Sequence, residues 1–71
     1  MQAEIVGITE TTLKILKQNG TTWTYKFKTE LPDFVKHELT ERQKNNWNPL
    51  AIATFKEVEG RGFLKLTEVG L

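Results

Sequence analysis

Residues 17–30 read KQNGTTWTYKFKTE, and this stretch decides the fold because aromatic and polar residues alternate along it. In an extended strand, successive side chains point to opposite faces of the sheet. Trp23, Tyr25 and Phe27 therefore share one face, and the threonines and lysines between them share the other. The register with the preceding residues predicts which of the two faces is buried.

The register depends on how the chain turns through residues 18–20, which read Gln-Asn-Gly. A two-residue turn at the Asn-Gly pair is the strongest short-range hairpin signal, but here it would mix apolar and polar side chains on both faces. A three-residue loop that ends in a left-handed glycine shifts the register by one residue and pairs Ile15 with Trp23. Two residues further along, Leu13 then pairs with Tyr25. Burying a large apolar side chain is worth about 1.5–3 kcal/mol, so we predict this register and buried aromatic rings.

Runs rich in β-branched and aromatic residues, separated by short polar links, are typical of strands. Such runs occupy residues 3–9, 12–17, 21–29, 50–58 and 61–69. A helix is predicted between residues 31 and 46, because Pro32 suits a first helical turn and Asp33 interacts favourably with the helix dipole. The apolar residues predicted on one face of this helix are Leu31, Phe34, Val35 and Leu39.

The order of these elements, β-β-β-α-β-β, resembles that of the OB fold, a small five-stranded barrel that binds oligonucleotides and oligosaccharides. The resemblance covers most of the chain and is one of topology, without a diagnostic residue motif. It implies a single domain over residues 1–71, mainly β with one helix, in which the helix plugs the end of an OB-like barrel. An SH3-like barrel is the alternative fold, and a β-grasp fold is a weaker one.

Alternation along the other strands predicts which of their side chains face the core. A short turn after the first strand would place Val6 beside Ile15, which leaves Ile5 facing outward. In the last hairpin, the residues predicted on the core side are Ala51, Ala53, Phe55, Leu64 and Leu66. Leu50 and Ile52 have the outward parity although they are apolar, so they are candidates for contact with the helix, with Trp47 or with a partner.

Composition argues against several classes of function. The chain has no cysteine and a single histidine, His37, so neither a disulfide framework nor a metal site is expected. It also lacks serine and shows no phosphate-cradling loop, which argues against an enzyme and against a bound cofactor. Residues 1–8 contain neither a basic leader nor a long apolar stretch, so we expect a cytoplasmic protein without a membrane anchor. The formal charge of +1 is too small to identify a partner.

The polar face of the first three strands is the leading candidate for a binding surface. Lysines among threonines can contact backbone phosphates with little sequence preference, and an aromatic ring near the tip of the last hairpin can stack on a base. We therefore expect a non-catalytic module that binds single-stranded DNA or RNA. Its candidate contact residues are Lys14, Lys26, Lys28, Arg61, Phe63 and Lys65.

A protein–protein interface is the alternative. In this interpretation the chain is an adaptor or an assembly subunit, and tryptophan and arginine are the residue types that dominate such binding surfaces. The candidate interface residues are Ile5, Leu16, Arg42, Trp47 and Leu50. Trp47 has a second interpretation, as a lid that ties the end of the helix to the barrel.

Overall fold

The computed structural model describes every residue except Lys28, Glu59 and residues 61–63. It contains six elements in the predicted order: β1 (Gln2–Ile8), β2 (Thr12–Leu16), β3 (Thr22–Lys26), α1 (Asp33–Lys44), β4 (Ile52–Glu57) and β5 (Leu64–Gly70). The strands form one antiparallel sheet of order β3-β2-β1-β4-β5. Among the described residues no strand pairing joins the edge strands β3 and β5, so the sheet is not closed. No helix in this described part is long and apolar enough to cross a membrane.

The register of the β2–β3 hairpin is the one predicted from the sequence. Ile15 lies opposite Trp23, and two residues along the ladder Leu13 lies opposite Tyr25. Tyr25 and Phe27 are buried, and Trp23 is half-buried at the margin of the core. The aromatic face of the hairpin therefore points to the interior, and its threonine and lysine face points to solvent.

A left-handed glycine closes this hairpin, as predicted. Gly20 has a φ of +87°. Its N–H donates to the carbonyl of Lys17 at 3.0 Å, and the N–H of Lys17 donates to the carbonyl of Thr21 at 2.8 Å. The side-chain oxygen of Asn19 accepts hydrogen bonds from both the N–H and the hydroxyl of Thr21, at 3.1 and 2.6 Å. These bonds define a three-residue loop, and the loop length sets the register.

Gly20→Ala is expected to lower the free energy of unfolding by about 1–2 kcal/mol, because a side chain is strained in the left-handed conformation. No described atom lies within 4 Å of the position that the added Cβ would take, so the cost comes from the backbone alone. Gly70→Ala is the matched control, since its Cβ would make an ordinary contact, 3.5 Å from the carbonyl oxygen of Ile52. Urea denaturation followed by tryptophan fluorescence measures both variants, and equal losses would contradict this explanation.

The core lies on one face of the sheet and includes the buried side of α1. Its buried apolar residues are Ala3, Ile5, Leu13, Ile15, Tyr25, Phe27, Leu31, Val35, Leu39, Ala51, Ala53, Phe55 and Leu66. The rings of Tyr25 and Phe55 meet edge-on with 5.1 Å between centroids, and Trp23 packs against them at 5.6 and 5.4 Å. This aromatic cluster joins β3 to β4, which are not neighbours in the sheet, so the sheet curves around it.

A β-bulge changes the predicted faces of β1. The register with β2 shifts between Ile5 and Gly7, so that Ile5 pairs with Ile15 and Gly7 pairs with Lys14. Ile5 is fully buried, and its predicted outward position is wrong. The extra residue in the bulge reverses the alternation, because two residues of β1 then oppose one residue of β2. Val6, which was predicted to lie beside Ile15, is the residue displaced by the bulge.

The buried face of α1 also differs from the predicted one. Val35, Leu39 and Arg42 are its buried residues, at positions i, i+4 and i+7 of one face. Phe34 is 72% exposed, so its predicted core position is wrong. One residue corresponds to about 100° of rotation in a helix, and Phe34 lies that far from Val35. The buried stripe continues towards the end of the helix through Arg42, whose aliphatic stem can cover apolar surface.

α1 ends in a Schellman motif that directs the following residue back to the core. Asn46 has a φ of 55° and Trp47 a φ of 57°. The N–H of Trp47 donates to the carbonyl of Arg42 at 2.7 Å, and the N–H of Asn46 donates to the carbonyl of Gln43 at 3.2 Å. These two bonds satisfy carbonyls that the helix leaves without a partner. The reversal brings the Trp47 side chain against the core.

Arg42 joins α1 to the start of β4 and the end of β5. Its guanidinium donates from Nη1 to the carbonyl of Leu50 at 2.9 Å and from Nη2 to the carbonyl of Leu71 at 2.6 Å. Its Nε donates to Oε1 of Glu38, one turn earlier in the helix, at 3.3 Å. A buried charge is tolerated only when its donors are paired, so these bonds make Arg42 a structural residue.

One side chain spans the open side of the sheet between β3 and β5. The Tyr25 hydroxyl accepts a hydrogen bond from the N–H of Leu66 at 3.1 Å and donates to Oε1 of Glu30 at 3.3 Å. Burial raises the pKa of Tyr25, the hydrogen bond from Leu66 lowers it, and the carboxylate of Glu30 raises it, with a net increase. Among the residues that the structure describes, the two edge strands are thus linked through a phenol instead of a backbone ladder.

Candidate functional site

The exposed face of β2 and β3 carries two of the predicted lysines. Lys14 lies opposite Thr24, and Lys26 lies opposite Thr12. Both lysines are exposed on the side of the sheet that faces away from the core. In the described part of the chain neither lysine forms an ion pair, so both ammonium groups can meet an external anion. The structure therefore brings Lys14 and Lys26 together on one polar surface.

The other predicted contact residues are Lys28, Arg61, Phe63 and Lys65. Lys28, Arg61 and Phe63 lie outside the described residues. Lys65 is exposed on β5, directly opposite Lys56 of β4. Lys56 was not among the predicted contact residues, because its partner depends on the register of the hairpin. That register could be read from the sequence only if the turn near Gly60 were known.

A groove of about 400 Å³ lies on the outer face, away from the aromatic cluster, and is lined by Gln2, Ala3, Glu4, Leu16, Lys17, Gln18 and Ile52. One residue from each strand forms a row across this face, in the order Thr22, Leu16, Glu4, Ile52 and Gly70. Leu16 and Ile52 are half-buried on either side of Glu4. Ile52, an apolar residue with outward parity, lines this groove.

The predicted protein interface does not form one continuous surface. Ile5 is fully buried, and Arg42 is only 8% exposed, so neither side chain can line an interface in this structure. Trp47 is half-buried and packs against the core, as its interpretation as a lid predicted. Leu50 is 55% exposed, and Leu16 is half-buried in the groove on the outer face. Leu50 is thus the exposed apolar residue of the predicted set, and Leu16 and Trp47 are partly accessible.

His37, the single histidine, lies exposed on α1. Within the ranges that the structure describes, no group of three or more histidine, cysteine, aspartate or glutamate side chains is placed to hold a metal ion. Compared with protein-family models, curated proteins and solved structures, the chain matches none. Its function is therefore inferred from the chemistry of its own surface.

Proposed function

We propose that the chain is a small cytoplasmic, non-catalytic module that binds single-stranded DNA or RNA with low sequence preference. The observation that carries this proposal is the exposed face of Lys14 and Lys26, which form no ion pair among the described residues. Ammonium groups on such a face neutralise backbone phosphates. The exposed hydroxyls of Thr22 and Thr24 can donate to phosphate oxygens. Neither contact depends on the identity of a base, which is the basis for the low sequence preference.

The remaining predicted contacts extend this surface. Lys28 keeps the role expected from the sequence, a contact with a backbone phosphate, and Lys65 would add a cation on the last hairpin. As expected from the sequence, Arg61 would flank the bound strand together with Lys65, and the ring of Phe63 would stack on a base. Stacking on aromatic rings is tolerant of sequence, because every base has a π face.

We also propose that the sheet is the main part of an OB-like barrel, with an SH3-like barrel as the alternative. The edge strands β3 and β5 are close enough for the Tyr25 hydroxyl to reach the N–H of Leu66, at 3.1 Å. The contact between the rings of Trp23 and Phe55 joins β3 to β4 through the interior. Both contacts support a curved sheet whose edges approach each other, as closure into a barrel requires.

Replacing Lys14 and Lys26 together by alanine is expected to weaken the binding of a short single-stranded oligonucleotide by at least about tenfold at low salt, because two phosphate contacts are lost. The slope of log affinity against log salt concentration should fall in magnitude by about 1.4, since each contact contributes about 0.7 for single strands. NMR titration of the labelled protein, followed through its backbone amides at several salt concentrations, measures both quantities.

The matched control replaces two lysines of α1 by alanine and removes the same total charge. Lys36 and Lys44 pair with Asp33 and Glu41 on the helix, away from the proposed surface. We expect this control to change the affinity much less than the Lys14 and Lys26 double variant does. If the unmodified protein shows no amide shift at about 1 mM oligonucleotide, the proposal is wrong, because non-specific binders reach dissociation constants of about 10⁻⁴ to 10⁻⁶ M.

The groove between Leu16 and Ile52 favours a second candidate function, the docking of a protein partner. Leu16→Asp would place a charge in this groove and is expected to abolish capture of such a partner, because the charge loses water without gaining a counter-ion. Oligonucleotide binding should be unchanged, since Leu16 makes none of the proposed phosphate contacts. A pull-down with the unmodified protein and, separately, with the Leu16→Asp variant as bait measures the loss of partner capture. Identical sets of captured proteins would exclude docking at this groove.

A further inference from the structure

Two lysines of the last hairpin face each other directly. Lys56 of β4 pairs with Lys65 of β5, and both side chains are exposed. Like charges directly opposite each other in an antiparallel pair are destabilising. In the part of the chain that the structure describes, neither lysine forms an ion pair that would offset this repulsion. Lys56 and Lys65 are thus two directly opposed cations without an ion-pair partner among the described residues. A carboxylate at either position would have formed an attractive pair.

The lysine pair lies beside a groove that can admit a ligand. The groove has a volume of about 600 Å³, and its lining residues are Lys56, Glu57, Val58, Lys65, Leu66 and Thr67. The hydroxyl of Thr67 donates to the carbonyl of Thr54 at 3.1 Å. The hydroxyl proton of Thr67 is therefore not free to donate to a ligand. Among the described residues of this lining, Glu57 is the one carboxylate. It is adjacent to Lys56 in the strand, so the two side chains leave β4 on opposite faces. The cationic side of the groove is therefore set by the lysine pair.

We infer that Lys56 and Lys65 form a phosphate-binding site. An anion between the two ammonium groups converts their mutual repulsion into two attractions, and a phosphate group supplies several acceptor oxygens for their N–H donors. The phosphate can come from a nucleic-acid backbone or from a free polyphosphate. In the first case the inference rests on the proposed function and adds Lys56 to the contact already proposed for Lys65. In the second case the site binds its ligand independently of Lys14 and Lys26.

The Lys65→Glu variant tests phosphate binding at this site without lowering the stability of the fold. The substitution places a carboxylate opposite Lys56, so it replaces a repulsive cross-strand pair by an attractive one. The variant should unfold at the same or a higher temperature than the unmodified protein, and its affinity for pyrophosphate should fall by at least about tenfold. Lys44→Glu makes the same change in net charge on α1 and should leave pyrophosphate binding nearly unchanged. Lys56→Gln is the second variant, which removes one cation without introducing an anion.

The experiment titrates labelled protein with pyrophosphate and, separately, with a short single-stranded oligonucleotide, and follows the backbone amides of both lysines by NMR. Pyrophosphate shifts that disappear in Lys65→Glu and Lys56→Gln, but persist in Lys44→Glu, support the site. If these shifts occur while the oligonucleotide does not bind, the site is retained and the proposed function is wrong. The inference is overturned if pyrophosphate leaves these amides unmoved, or if the substitutions at Lys56 and Lys65 leave its binding unchanged.

Discussion

Arg42→Met is expected to lower the free energy of unfolding by about 2–4 kcal/mol, because it removes the hydrogen bonds of a charged guanidinium to the carbonyl groups of Leu50 and Leu71. Methionine keeps most of the aliphatic stem, so the loss reports the guanidinium and not the packing. A domain of 71 residues is stabilised by roughly 4–11 kcal/mol in total, so this is a large fraction. Urea denaturation followed by circular dichroism measures the loss.

Two further variants test the explanation for Arg42. Arg42→Lys retains the charge but not the planar arrangement of donors that reaches both carbonyls, so its loss should be close to that of Arg42→Met. Lys44→Met removes an exposed cation from the same helix, and its ion pair with Glu41 is worth only about 0–1 kcal/mol. If Arg42→Met and Lys44→Met are equally stable, the buried guanidinium does not join α1 to β4 and β5 as described.

Tyr25→Phe is expected to lower the free energy of unfolding by about 1–3 kcal/mol, because the N–H of Leu66 loses its acceptor in a buried position. Phenylalanine preserves the ring contacts with Trp23 and Phe55, so the measured loss belongs to the hydroxyl. Thermal and urea denaturation at neutral pH measure it. A loss within error of zero would mean that water replaces the hydroxyl at Leu66 without cost.

The same hydroxyl predicts a loss of stability in alkaline solution. The pKa of Tyr25 is raised above its ordinary value of 10.0, chiefly by burial and further by the carboxylate of Glu30. The unfolded chain therefore releases the proton at lower pH than the folded chain does. The stabilisation is fully present below pH about 10 and is lost as the pH rises through the higher pKa of the folded state. The Tyr25→Phe variant should not show this loss of stability between the pKa of the unfolded chain and that of the folded chain.

Tyr25 is the only tyrosine in the chain, so ultraviolet absorbance reports its ionisation directly. The titration of the folded protein should lie above that of the protein in urea. Glu30→Gln removes one of the causes of the shift and should bring the pKa of Tyr25 closer to its ordinary value. Coincident titrations of the folded and unfolded protein would contradict the buried position of the hydroxyl.

The β2–β3 hairpin could be predicted from the sequence because two independent features agree on one register. Gly20 favours the left-handed turn, and the alternation of apolar residues favours the same pairing. The bulge between Ile5 and Gly7 could not be predicted, because an extra residue in β1 has no signature apart from its partner strand. Phe34 was placed wrongly because the buried face of α1 depends on Arg42, whose carbonyl partners are distant in sequence.

The residues of the candidate site could also be predicted only where the sequence determines the register of the strands. The shared face of Lys14 and Lys26 follows from the β2–β3 register and was predicted. The pairing of Lys56 with Lys65 was not, because the residues around Gly60 were compatible with two turn registers. A one-residue change in the turn would have placed a different residue opposite Lys65.

β1 is the first strand of the chain and lies at the centre of the sheet. Its neighbour β2 follows directly, but its other neighbour, β4, comes after more than half of the chain, since Gln2 pairs with Thr54. Joining such distant segments costs more loop-closure entropy than forming a hairpin does. During synthesis on the ribosome, the growing chain therefore carries β1 with one unprotected edge until β4 emerges.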